Sequence, residues 1–166
     1  MEGLAYMDAA APARDDVFTE TVGQHYPGLV RRLTAVVGDR ESALDLAQET
    51  YLRAYRAWDR FDGTDARAWL YTIGLRLAFN ERSRRRRWSD LLARRSEPLS
   101  WVVPEDRGIH EALLGLRREH RAALLLSAVD GYTQAEIAAI LAVAPGTVAS
   151  WLSRAKAHMR KALINA

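Results

Sequence analysis

The chain has 166 residues, 49% of them apolar and 27% charged, which is enough for one ordinary domain or two small ones and too apolar for a disordered segment. It contains no cysteine, which excludes a disulfide framework and any thiolate metal site, and its four histidines are scattered with no metal-ligand spacing. The net charge is +3 and the pI about 9.5; 22 of the 24 cationic residues are arginine, the side chain suited to bidentate phosphate and base-edge contacts, although a GC-rich genome contributes to the same bias.

Residues 1–15 are small, Ala-rich and aperiodic, and read as a mobile tail. From Val17 a helical period takes over through Val22, Tyr26, Leu29, Val30, Leu33, Val36 and Val37, predicting one helix. Gly38-Asp39 stops it and caps the next. A second helix is predicted over 40–58, with Leu44, Leu46, Ala47, Tyr51, Leu52 and Tyr55 as its apolar positions. "RFDGTDA" (60–66) has the Asp and Gly chemistry of a loop. A third helix follows from Ala66 into the arginine run, with Trp69, Leu70, Ile73, Leu77 and Phe79 as its apolar residues.

Between Ser89 and Gly108 the pattern breaks around two prolines. Such a tether of roughly 20 residues could stretch to about 65 Å. Helical periodicity then returns in four pieces, 109–115, 117–129, 133–141 and 145–163, and no segment alternates long enough for a strand. The expected fold is all-α: a tail (1–15), a first helical domain (16–91), a flexible linker (92–108) and a second helical domain (109–166).

The last stretch carries the strongest local signal. Thr133 and Glu136 form a capping box, Ile137, Ile140 and Leu141 supply an apolar face, "AVA" makes a turn, and Pro145 opens the next helix at its first position. Val148 and Leu152 face back toward the preceding helix. Gly146, Thr147, Ala149, Ser150, Ser153, Arg154 and Lys156 are left pointing outward, on the face a recognition helix presents to the major groove. No carboxylate follows Glu136, whereas Arg154, Lys156, Arg160 and Lys161 do. A plain helical hairpin with a solvated basic face would lack this combination of box, N1 proline, three-residue turn and one-sided charge.

"GYTQAEIAAILAVAPGTVASWLSRAKAHMRKAL" (131–163) resembles region 4 of bacterial sigma-70-type factors of the extracytoplasmic-function (ECF) kind, through Gly131-Tyr132-Thr133, Glu136-Ile137-Ala138, Leu141, Gly146-Thr147-Val148, Ser150, Leu152 and Arg154-Ala155-Lys156. Trp151 stands where the family usually has Arg. "DLAQETYLRAYRAWDRF" (45–61) resembles region 2.2, in which Asp45, Gln48 and Glu49 match the residues that dock on the β′ coiled coil of RNA polymerase. "RAWLYTIGLRLAFNERSRRRR" (67–87) resembles regions 2.3 and 2.4, which read and open the −10 promoter element. Trp69, Leu70, Ile73 and Asn80 match, Gly74 replaces Ala, and Arg76 replaces the usual Asn. The resemblance implies a sigma region 2 bundle and a sigma region 4 helix-turn-helix.

The same resemblance implies an alternative sigma factor that is not an enzyme. It would bind core polymerase through the β′ coiled coil and β flap, recognise −35 and −10 elements and assist strand opening. The −10 contacts it implies are Asp62, Gly63, Thr64, Trp69, Arg76, Asn80, Arg84 and Arg85, the loop 61–66 receiving a flipped base. Arg82, Arg84, Arg85, Arg86 and Arg87 would track single-stranded backbone, with Trp88 for stacking. The tether's reach covers nearly two turns of duplex at about 34–36 Å each, as two separated promoter elements require. No catalytic residue, metal or cofactor is expected, and an anti-sigma factor is a further partner.

Other classes fit less well. A helix-turn-helix repressor would need no polymerase. A helical nuclease would need a metal cluster or a nucleophile–base pair, and the sequence has neither, nor a GxxxxGK[ST] or GxGxxG phosphate loop. Pro145 and its turn argue against one long membrane-surface helix. The opening "MEGLAYMDAAAPARDD" has no basic region followed by an apolar one, and no apolar run approaches the roughly 18–20 residues of a membrane span. A cytoplasmic protein without membrane insertion is expected.

Overall fold

Pro27 divides the first predicted helix in two. In the computed structural model, which describes residues 13–85 and 107–164, α1 (Arg14–Gly23) ends two residues before α2 (Tyr26–Val37) begins. In a continuous helix the Pro27 ring would collide with the carbonyl of Gly23, four residues back; in the first turn of a new helix its missing N–H costs nothing. The structure also corrects the tail. Arg14 and Asp15 belong to the fold, Arg14 Nε lying 3.1 Å from Asp59 Oδ1 and the Tyr55 hydroxyl donating to Asp15 Oδ1 at 2.7 Å. The rest of the predicted tail, residues 1–12, lies outside the described residues, as do residues 92–106 of the predicted linker.

Gly38 and Asp39 act as the sequence predicts. Gly38 takes φ +81°, the left-handed conformation that closes α2, and its N–H donates to Thr34 O at 2.8 Å. The Asp39 carboxylate accepts from the Ser42 N–H at 2.8 Å and starts α3 (Arg40–Arg56). A 3₁₀ turn (Trp58–Arg60) follows, then the 61–65 loop and α4 (Ala66–Arg85), whose first turn is capped by Asp65 Oδ1 accepting from Ala68 N at 2.9 Å. The second group is α5 (Arg107–Leu114), α6 (Arg118–Ala128), α7 (Gln134–Leu141) and α8 (Pro145–Ile164), all close to their predicted bounds. Residues 107 and 108, expected in the linker, form the start of α5. The described residues hold no strand, and the all-α class with two helical groups stands.

α4 is the wall both groups share. On one side α2 and α3 press against it so closely that a Cβ on Gly74 would lie 3.1 Å from both Leu29 Cδ1 and Thr50 Oγ1. On the other side Tyr71, Leu75 and Ala78, all buried, join one apolar core that continues through Leu33 and Val36 into Leu126, Ile137, Leu141 and Val148 of the second group. The predicted apolar set of α4 omits this stripe. A smaller cluster of Phe18, Val22, Ala54 and Leu70 holds α1 against α3 and α4. The buried hydroxyls of Thr34 and Thr50 donate to the carbonyls of Val30 and Leu46, so neither is stranded.

Polar contacts fix how the two groups meet. Arg32 Nη2 on α2 lies 2.8 Å from Asp130 Oδ2, with the two side chains exposed by only 10% and 8%. Arg121 on α6 donates through Nη1 to the carbonyls of Ala35 and Val36 in the last turn of α2. Through Nη2 it donates to Leu114 O and Leu116 O. One guanidinium thus serves the otherwise unpaired carbonyls at two helix ends. Burial, with a smaller push from Arg118, brings the Arg121 pKa down to about 10, which leaves it charged at neutral pH. Arg67 Nε donates to the Tyr132 hydroxyl at 3.0 Å, and Arg76 Nη2 reaches Ala139 O at 3.5 Å.

The Asp39 cap gives a direct test of this reading of the first group. Asp39→Ala should lower unfolding free energy by about 1 kcal/mol, measured as a shift in urea midpoint at unchanged slope.

Candidate nucleic-acid interface

The helix-turn-helix begins where the sequence places it. Glu136 Oε2 accepts from the Thr133 N–H and hydroxyl, both at 2.7 Å, and Thr133 Oγ1 accepts from Glu136 N at 3.3 Å. The helix axes of α7 and α8 turn by 106° between them, the angle expected of this motif. The turn is made by Ala142, at φ +54° and ψ +49° the one non-glycine with positive φ among the described residues; a Cβ there costs roughly 1–2 kcal/mol. The Val143 N–H closes the end of α7 on Ala138 O at 3.0 Å, and Ala144 O accepts from Thr147 N at 2.9 Å to open α8. Val148 and Leu152 are buried in one core with Ile137, Ile140 and Leu141, and Ala155 is buried one turn on, so α8 cannot rotate about its axis.

That locking decides which face of α8 is free. Gly146, Ala149, Ser150, Ser153, Arg154 and Lys156 are exposed and Thr147 is half-buried at the edge. A Cβ added at Gly146 would meet nothing within 4 Å, so the N-terminal end of the helix is open to close approach. Trp151, which departs from the family pattern, is half-buried beside His120, ring centroids 6.0 Å apart. It packs on its own helical group. Burial, with Arg117 and Arg154 nearby, lowers the His120 pKa.

The 61–65 loop sits on an aromatic stack. Phe61 stacks on both Trp58 and Trp69, with centroids 5.2 and 4.8 Å away and planes 21° and 28° apart, and the two tryptophans lie 6.1 Å from each other, so the three rings form a triangle. Trp69 was a predicted contact; Trp58 and Phe61 were not, and their spacing of three residues across a 3₁₀ turn is the only sequence signal for the stack. Asp62 Oδ1 accepts from both the backbone N–H (3.0 Å) and the hydroxyl (2.7 Å) of Thr64, which lowers the Asp62 pKa, and Gly63 turns the chain at φ +81°. Asp62, Gly63 and Thr64 are exposed. On α4, Trp69, Arg76 and Asn80 share one stripe at i, i+7 and i+11, with Arg76 and Asn80 exposed. Arg82, Arg84 and Arg85 fall in the last turns of α4, while Arg86, Arg87 and Trp88 lie outside the described residues.

On α3, Asp45 and Gln48 are exposed and Glu49 is half-buried, its Oε1 2.6 Å from Arg53 Nε one turn on. Leu52 and Tyr55, predicted as core-facing, are 49% and 37% exposed. Leu52 instead borders an apolar groove with Gly23, Tyr26, Gln48 and Tyr51. The groove arises at the α1–α2 break, where the chain turns away from α3.

Residues 21–88 match the family model for sigma-70 region 2, and residues 106–159 match that for sigma-70, region 4. Over 171 aligned positions the chain is 32% identical to the ECF RNA polymerase sigma factor SigL of Mycobacterium tuberculosis, with 96% of each chain covered. It is 31% identical to the RNA polymerase sigma factor CarQ of Myxococcus xanthus, over 92% of this chain and 89% of that one. Among solved structures it is similar to the sigma factor RpoE of Bartonella quintana, crystallised with the anti-sigma factor NepR, at a TM-score of 0.76 and 27% identity over 89% of this chain and 96% of that one. It is also similar to CnrH, solved with the cytosolic domain of CnrY, at a TM-score of 0.67 and 27% identity over 92% and 91% of the two chains.

The capping box has a pH signature. Hydrogen bonds from the Thr133 backbone N–H and hydroxyl hold the Glu136 carboxyl below its ordinary value. A depressed carboxylate stabilises the fold above its unfolded pKa, about 4.3 for Glu, and loses that contribution as pH falls through the folded value. The stability difference between wild type and Glu136→Gln should therefore be constant near neutrality and shrink below about pH 4, read by urea titrations at each pH.

Proposed function

Because the chain belongs to the sigma-70 family, as an alternative sigma factor of the extracytoplasmic-function type that directs promoter-specific transcription, we propose a division of that work between its two helical groups. The group of residues 16–91 docks on core RNA polymerase and handles the −10 element, and the group of residues 109–166 reads the −35 element. The observation that carries this reading is the locked helix-turn-helix, whose apolar seam leaves Gly146, Ala149, Ser150, Ser153, Arg154 and Lys156 on the open face of α8. Arg154 is the guanidinium best placed for a base edge or phosphate, Lys156 supports it, and Thr147, Ser150 and Ser153 allow close approach. The α8 N-terminus adds attraction for phosphate.

On the first group, the Asp62–Thr64 loop over the Phe61–Trp69 stack offers exposed polar edges above a rigid aromatic floor, which suits capture of an extruded base. Arg76, Asn80, Arg84 and Arg85 carry the flanking backbone. Asp45, Gln48 and Glu49 face the β′ coiled coil, and the groove beside Gln48, rimmed by the exposed Leu52, adds apolar area to a contact otherwise made of charges. The β flap is the partner of the second group. An anti-sigma factor is a further partner, supported by the RpoE and CnrH structures with theirs. No single helix among the described residues is long and apolar enough to cross a membrane. The protein acts in the cytoplasm beside polymerase and is itself no catalyst.

Run-off transcription with core polymerase on promoters selected from a random library tests the whole assignment. Arg154→Ala should weaken protection of the upstream element by about 1–3 kcal/mol, roughly tenfold or more; an unchanged footprint removes α8 from the −35 contact. Glu49→Arg should weaken binding to core polymerase with the thermal midpoint preserved, and unchanged affinity would place the docking face elsewhere.

A further inference from the structure

We propose that Phe18 on α1 is a positioning residue for base capture: it seats Trp58, and through Trp58 the aromatic floor beneath the 61–65 loop. The proposal rests on the base-capture reading above. It adds to that reading a part of α1 that the region 2 match, which starts at residue 21, does not include. Along α3 and the 3₁₀ turn, Tyr51, Tyr55 and Trp58 follow at i, i+4 and i+7. Phe18 meets all three edge-on, with centroids 4.9, 5.2 and 5.3 Å away and planes 74°, 79° and 81° apart. It is 2% exposed, while Trp58 is half-buried. Edge-to-face contacts hold a ring at a defined tilt as well as a defined distance.

The turn that carries Trp58 needs such support. Residues 58–60 have the poorer hydrogen-bond geometry of a 3₁₀ helix, closed by Arg60 N on Ala57 O at 2.9 Å and Phe61 N on Trp58 O at 3.0 Å. The loop starts from this turn, since Phe61 both stacks on Trp58 and directly precedes Asp62. A tilt of Trp58 therefore displaces the floor and the root of the loop together. α1 holds the turn on two sides. Phe18 grips it from the core. Arg14 grips it from the solvent, through Nε to Asp59 Oδ1 at 3.1 Å and Nη2 to Tyr55 O at 3.1 Å. The exposed ion pair adds little strength, so the ring contact is the one that decides. With the turn fixed beforehand, none of the energy of base stacking is spent on ordering it.

Base capture is measured as the affinity a promoter loses when one base is removed. Holoenzyme reconstituted with core polymerase is titrated with fork duplexes whose single-stranded −10 segment carries an abasic site at each position in turn. For the wild type, one position should cost about tenfold or more, the scale of stacking one base on an aromatic side chain. Phe18→Leu keeps most of the volume but not the ring. It should shrink that penalty to about threefold or less, with protection of the upstream element and affinity for the abasic duplex unchanged. A general loss of stability would move all these readings alike. Trp58→Leu should give the same small penalty, and the double variant no smaller one, because both act through one contact. Arg14→Ala, an exposed change that leaves the core intact, should lower the penalty by about twofold. In the free protein, amide exchange over residues 58–65 should quicken in Phe18→Leu while α7 and α8 keep the wild-type rate. A wild-type penalty that Phe18→Leu leaves unchanged, or effects of Phe18→Leu and Trp58→Leu that simply add, overturns the proposal. Equal affinity of the wild type for every abasic duplex removes base capture itself, and the proposal with it.

Discussion

Taking a guanidinium out of water demands that oxygens replace the water, and three arginines at the joint between the helical groups meet much of that demand with partners from across it, although the buried Nε of Arg32 and of Arg121 has no hydrogen-bond partner among the described residues. Arg32 has the Asp130 carboxylate, Arg121 has the Ala35 and Val36 carbonyls besides two of its own group, and Arg67 has the Tyr132 hydroxyl and the Asp130 carbonyl. Each arrangement works in one relative placement of the groups. Apolar contacts such as Leu75 against the second group would tolerate sliding; these do not. A buried ion pair adds little net stability over well-packed apolar residues, yet removing one member costs about 3–5 kcal/mol. The arginines therefore set the register of docking, while the shared apolar core supplies most of its strength.

The two proposed reading surfaces are built in the same way. Each pairs a short polar segment, held by its own side chains, with a helix that apolar packing prevents from turning. In the loop, Asp62 folds Thr64 back while Asp65 caps α4, and Phe61 anchors the segment in a three-ring cluster with Trp58 and Trp69. In the helix-turn-helix, Thr133 and Glu136 cap α7, Ala142 accepts a strained conformation, and Val148 with Leu152 pins α8. Neither surface has to be organised by its ligand, so binding energy is not spent on ordering the segments.

What was legible in the sequence follows the range of the interaction. Gly38-Asp39, the Thr133–Glu136 box and Pro145 act over four residues or fewer, and their roles were readable directly. The outward face of α8 was readable because burying Val148 and Leu152 leaves only one orientation. The break at Gln24 had a local signal too, Gly23 with Pro27, but a continuous apolar period runs across it. α4 defeats a single-stripe reading because it is buried on two sides: Leu70 faces α1 and α3 while Tyr71, Leu75 and Ala78 face the second group. Leu52 misled in the opposite sense, since its apolar character lines an open groove. The joint was not readable at all. Its partners lie tens of residues apart along the chain, and nothing in either local pattern calls for the other.

Both departures from the family's pattern, on α8 and α4, acquire a physical role once the groups are seen together. Trp151 replaces a usual arginine, and its ring lies against His120 on α6, so that position has passed from the polar surface to the packing of the second group. Arg76 replaces a usual asparagine. Its guanidinium crosses to the Ala139 carbonyl on α7, a reach that the two-carbon side chain of asparagine lacks. The same arginine lies on the stripe with Trp69 and Asn80, and it is shared between α7 and the solvent. A residue that reads in the sequence as a change of base preference thus also ties α4 to α7.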